Sequence, residues 1–181
     1  MQRVEIIGAV IGKGIVMLMT SLMLTGCYPP INDITTDPFD PLPLYRHGQQ
    51  VPYPERFGDI QRKKYPLVRP RIFQVSPTEL LEVIITVVKD ETSWCDVRVD
   101  VDNLQLTAVA VSRLFRFRDD IVLQVRSLDG ENEAIVHMRS RSRIGKSDLG
   151  VNARRITSLF REIEKRLQQN NRLVPQEDER S

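Results

Sequence analysis

Between Ala134 and Arg155 the chain gathers the residues best suited to chemistry. Read as a strand, Ala134–Arg143 places His137, Arg139, Arg141 and Arg143 on one face, because side chains alternate. Val136, Met138, Ser140, Ser142 and Ile144 take the other. The basic row runs into Gly145-Lys146-Ser147-Asp148, at the start of a helix that carries Asn152 and Arg155. Guanidinium forks grip phosphate and carboxylate in bidentate fashion, and helix N-termini attract anions. From Arg113 to Arg155 there are ten basic residues and six acidic ones. Arginine outnumbers lysine 20 to 6 over the whole chain. Arg139, Arg141, Arg143, Lys146, Ser147, Asp148, Asn152 and Arg155 therefore form the candidate site, with two roles open. One is a patch for an anionic ligand, such as a lipid headgroup or an envelope polymer. The other is a structural clasp, with Arg139 or Arg143 pairing with Asp119, Asp120 or Asp148, and Asp148 capping the helix.

Several sharper chemistries are argued against. Gly145-Lys146-Ser147 sits between a strand and a helix, but the first glycine of a phosphate-binding loop would fall at Ser140. Strand alternation turns His137 away from Ser140 and Ser142, and no nucleophile elbow exists. A hydrolase built on this arginine- and serine-rich strand is kept as the alternative reading, with no catalytic residue assigned. Asp119 and Asp120 point to opposite faces of a strand, so they make no acid/base couple. Two cysteines and two histidines exclude a zinc finger or a disulfide-dense scaffold. No metal or cofactor is expected. Cys95, after Trp94 at the start of a strand, reads as a buried structural thiol.

The elements that position these residues can be read from periodicity. Ser76-Pro77-Thr78-Glu79 is a helix start, with a capping serine, proline in the first turn and a capping-box glutamate. Leu80, Leu81, Ile84, Val87 and Val88 follow at helical spacing; the β-branched run Val83–Val88 argues for a strand, and the cap decides for a helix. Four strand-like runs come next: Cys95–Val101, Leu104–Ser112, Ile121–Arg126 and Ala134–Ser142. Turns are expected at Asp102-Asn103 and at Leu128–Asn132. Short loops favour an antiparallel meander with one wet face. Ile156, Leu159, Phe160, Ile163 and Leu167 then recur at helical spacing, capped by Ser147 or Asp148 and running to about Gln169. The expected class is α+β: one small domain at 59–170, a four-stranded antiparallel meander covered by an N-terminal and a C-terminal helix.

What precedes the domain has its own character. A charged start, an apolar run after Lys13 and the sequence Leu24-Thr25-Gly26-Cys27 make residues 1–26 an export signal, too short for a comfortable membrane span. Leu24–Cys27 resembles the lipobox of bacterial lipoproteins. That resemblance implies cleavage before Cys27, lipidation on its sulfur and a membrane partner; an uncleaved anchor is the alternative. More than one acyl chain holds a protein firmly. Tyr28, in the position where aspartate resembles an inner-membrane retention signal, favours the outer membrane. Nine of the eleven prolines fall between residues 29 and 70. Residues 27–58 accordingly read as a lipidated, proline-rich extended tether, with a ligand for another protein as the alternative. Residues 171–181 form a charged tail.

The stretch Arg139-Ser140, Ser142-Arg143, Gly145, Ser147-Asp148, Gly150, Asn152 and Arg155-Ile156 resembles the signature of the uncharacterised domain-of-unknown-function family 1499. Phe117-Arg118-Asp119-Asp120 and Trp94 are similar to further family features. The resemblance spans about residues 65–167 and implies no reaction. The 181 residues carry a net charge of only +2, which argues against nucleic acid as a partner. The expectation is a lipid-anchored cell-envelope protein whose domain binds or scaffolds without catalysis.

Overall fold

The computed structural model describes residues 28–113, 115–128 and 132–173, with side chains to residue 170. The export signal, Cys27, the centre of the expected 128–132 turn and the last residues of the tail lie outside the described residues.

The meander is present. β5 (Trp94–Asp100), β6 (Gln105–Val111), β7 (Arg118–Ser127) and β8 (Ala134–Ser142) pair in chain order, all antiparallel. β8 begins and ends as its sequence pattern predicts. The sheet continues past it. β1 (Asp33–Thr35) pairs with Arg139–Arg141, and β4 (Arg71–Phe73) pairs with Ala134–Val136. Two short strands laid end to end thus cover the far edge of β8 and complete a six-stranded sheet. Covering an edge satisfies backbone groups that would otherwise invite another chain.

α2 (Pro77–Asp90) and α3 (Val151–Leu173) pack on one face. The Ser76 hydroxyl accepts the Glu79 N–H at 3.2 Å, as a capping serine does. Leu80, Ile84, Val87, Ile156, Phe160 and Ile163 meet Leu106, Leu123, Val136 and Met138 in the main core. Amphipathic helices bury their apolar stripe against the matching face of a sheet.

The tether reading is overturned. Ile31, Ile34, Leu42 and Leu44 are buried, β1 is part of the sheet, and β2 (Leu44–Arg46) and β3 (Gln49–Val51) form a hairpin. This hairpin and its flanks lie over the second face, where Leu42, Leu44 and Val51 pack on Val122. The expected wet face is therefore largely covered, and the folded domain starts near residue 29 rather than 59. The composition misled for a physical reason. Proline does favour extended chain, but an extended chain lacking donors can lie flat on a sheet without leaving N–H groups unsatisfied.

α1 (Arg56–Lys64) is a further element that polarity concealed. Its buried Gln61 accepts the Thr35 N–H at 3.0 Å and donates back to the Thr35 carbonyl, standing in for a strand beside β1. β5 is the open edge. A bulge between Cys95 and Arg98, with Asp96 at φ 52°, leaves Val97 and Val99 exposed. Cys95 is half-buried there, not enclosed as the sequence suggested.

Candidate functional site

The two faces of β8 carry separate polar systems. On the helix side, Ser140 donates to Asn152 Oδ1 at 2.8 Å, and Arg155 Nη1 reaches the Ser140 hydroxyl at 2.8 Å. Arg155 Nη2 then binds Asp119 Oδ2 at 2.6 Å. Asn152 Nδ2 donates to the Ser142 hydroxyl at 3.1 Å and to the Asn32 carbonyl at 3.2 Å. This network pins α3 to β7, β8 and the entering chain. Within this network each of these side chains finds a partner, as burial requires.

On the other side, Arg139 is 1% exposed. Its guanidinium grips Asp33 through Nε at 3.0 Å and Nη2 at 2.8 Å. Nη1 donates to the Leu42 carbonyl at 2.9 Å and Nη2 to the Val51 carbonyl at 3.0 Å. The ring of Tyr53 lies 5.5 Å from the guanidinium carbon. A buried charge persists only when paired and hydrogen-bonded in this way. Burial raises the Tyr53 hydroxyl above the ordinary tyrosine range, with the Asp33 charge adding to it. Arg141 donates to the Pro52 carbonyl at 3.2 Å and lies 3.7 Å from Asp33. Its burial lowers its affinity for the proton.

Of the expected clasp, the Arg143–Asp120 pair is present. Arg139 pairs instead with Asp33, and Asp148 takes no arginine among the described residues. Asp148 caps α3, accepting the Gly150 N–H at 3.0 Å and the Asn152 N–H at 2.8 Å. Burial raises its pKa, and these backbone donors oppose the rise. Gly150, at φ 74°, is held in the left-handed region that favours glycine, and a Cβ there would stand 3.2 Å from the Tyr28 ring. Ser147 donates to the Pro29 carbonyl at 2.9 Å, and Lys146 is exposed on the loop. His137 lies on the arginine face, separated from Ser140 and Ser142 by the sheet. Burial lowers its pKa, and Arg126 lowers it further.

Two members of the candidate set line open clefts: Arg155 borders a shallow one beside Trp94 and Ser158, and Arg143 borders a groove under the hairpin. The β2–β3 hairpin and β5–β7 enclose a groove of about 360 Å³, bordered by Arg46, His47, Asp96, Arg98, Gln105, Thr107, Asp120 and Arg143. Arg143 holds Asp120 Oδ1 through Nε at 2.8 Å and Nη2 at 2.6 Å, while Arg46 Nε holds Oδ2 at 2.9 Å. The Asp120 hydrogen bonds hold the Arg143 proton more tightly than usual. One carboxylate thus faces two guanidiniums, and exposed Arg98 adds a third positive charge. Asp33, Arg46 and Arg98 were missed in the sequence. The first two stand in the proline-rich segment, and Arg98 read as one of a strand's alternating charges.

Among the described residues no group of His, Cys, Asp and Glu is placed to hold a metal ion. None of their helices is long and apolar enough to cross a membrane.

Fold and site together define a one-domain α+β protein, its sheet locked on both faces by arginine–aspartate pairs. The family described as "Protein of unknown function (DUF1499)" matches residues 33–163, well over half the chain, and the protein belongs to it. The match starts at Asp33, the partner of Arg139, so the family's domain includes the segment that the sequence reading had set outside it. No curated protein matches the chain significantly.

Proposed function

We propose that this is a lipid-anchored cell-envelope protein whose domain binds a phosphate- or carboxylate-bearing ligand without catalysis. The observation that carries the binding role is the groove beside Asp120, where Arg46, Arg98 and Arg143 outnumber the two carboxylates of its lining, Asp96 and Asp120. The Arg98 side chain has no hydrogen bond or ion pair among the described residues, so its fork is available to a ligand. The anchor is supported by the apolar run ending at Leu24-Thr25-Gly26-Cys27, with lipid on Cys27; Tyr28 favours the outer membrane. The rest of the arginine row, Arg139 and Arg155 above all, serves as structure.

Calorimetric titration with glucose 1-phosphate and with oligogalacturonate tests the groove. Arg98→Gln is expected to weaken binding about tenfold or more, the cost of one charged hydrogen bond, at an unchanged melting temperature. No binding of either probe, or equal binding by the variant, removes the groove as a site.

A further inference from the structure

We infer that one end of the sheet rests on an anionic lipid bilayer; the inference takes Cys27 as the membrane attachment. The N-termini of β5 and β7 and the C-termini of β6 and β8 meet at that end, as the pairs Trp94↔Ala110, Val111↔Arg118 and Asp119↔Ser142 require. The chain also enters the domain there. The Pro29 and Ile31 carbonyls accept from Ser147 and from the Asp148 N–H, and Tyr28 lies against Gly150 at the start of α3. Tyr28 alone separates Cys27 from this packed segment. With no spacer between them, lipid on Cys27 brings this end, and not another, to the headgroups.

The surface at that end matches a headgroup layer. The β6–β7 hairpin presents Phe115 and Phe117, 66% and 51% exposed, stacked with centroids 5.5 Å apart. Ile144, Leu149 and Val151 add exposed apolar side chains from the segment that opens α3. Around them stand the exposed cations Arg113, Arg116, Arg118, Lys146 and Arg154, against the exposed carboxylates Glu91 and Asp96. The Arg143 N–H donates to the Arg118 carbonyl at 3.0 Å, joining the hairpin to the loop as one rim. Apolar and aromatic side chains ringed by arginine and lysine suit the boundary between acyl chains and anionic headgroups. The long basic side chains lay their stems on the apolar layer and keep their charges among the phosphates.

The full chain, reconstituted in vesicles of phosphatidylethanolamine and phosphatidylglycerol with brominated acyl chains, tests this. Trp94 is the single tryptophan, so Trp94→Phe gives a dark background. Phe115→Trp or Phe117→Trp then reports the rim, and Asp102→Trp, in the β5–β6 turn, reports the opposite end. Rim tryptophans are expected to be quenched at least threefold more than the Asp102→Trp reporter. Replacing Arg113, Arg116 and Arg118 with Gln should reduce the difference at least twofold. Equal quenching at the two ends overturns the inference. So does a shielded rim tryptophan that brominated lipid does not quench, since a protein would then cover it. Acylation is read separately by mass. An unmodified Cys27 removes the lipid anchor, yet a retained N-terminal segment would leave the bilayer next to the same rim, so the quenching still decides.

Discussion

Asp119 and Asp120, adjacent in β7, bind arginines on opposite faces of the sheet: Asp119 holds Arg155 of α3, and Asp120 holds Arg143 and Arg46. A strand sends neighbouring side chains to opposite faces, so one dipeptide fastens the helix layer and the hairpin layer to the same sheet. Asp119→Asn should cost about 1.5–3 kcal/mol, the value of a charged hydrogen bond in a closed site. Asp120→Asn should cost about 1 kcal/mol or less, because both its arginines reach solvent. With no shared partner, the two changes should add within about 0.5 kcal/mol in urea unfolding. A strongly non-additive double variant would mean that the two layers are coupled.

The Asp33–Arg139 pair should dominate the polar contribution to stability. Asp33→Asn leaves a guanidinium uncompensated at 1% exposure and should cost about 3–5 kcal/mol. Arg139→Lys should be similarly damaging, because an ammonium cannot span Asp33 and two carbonyls at once. Chemical denaturation of both variants measures this, and a loss under about 1 kcal/mol in either would show that the pair is dispensable.

Truncation gives a coarser check. A chain starting at Asp59 lacks β1, the β2–β3 hairpin and Asp33, and leaves Arg139 without its partners. It should fail to show a cooperative unfolding transition, while a chain starting at Tyr28 should show one. A sharp transition in the shorter chain would restore the tether reading.

Asp148 should show itself in the pH dependence. Burial raises its folded-state pKa above the ordinary value of 3.8. The folded protein therefore holds this proton more tightly than the unfolded chain. The stabilisation from protonation is full below the unfolded pKa and is lost as pH rises through the folded one. Asp148→Asn removes the buried charge but leaves one acceptor oxygen for two N–H groups, so it should flatten that fall while costing about 1 kcal/mol at pH 7. Asp148→Ala loses the cap and should cost about 1–2 kcal/mol. An alanine variant as stable as the parent would remove the capping role.

Sequence periodicity determined what is local. It placed Asp119 and Asp120 on opposite faces, separated His137 from Ser140 and Ser142, bounded β8, identified Ser76 as a cap, and narrowed the cap of α3 to Ser147 or Asp148. These follow from the two-residue period of a strand and from the unpaired N–H groups at a helix start, which a short stretch of chain carries by itself. The tertiary structure selected among the partners and added new ones. Sheet register chose Asp120 for Arg143, brought Arg46 to the same carboxylate, and gave Arg139 to Asp33 across 106 positions. Residues 29–54 have no apolar period to announce that they are core. Their apolar side chains are spaced by the contour of the face they cover, and that face exists only once β5–β8 have paired.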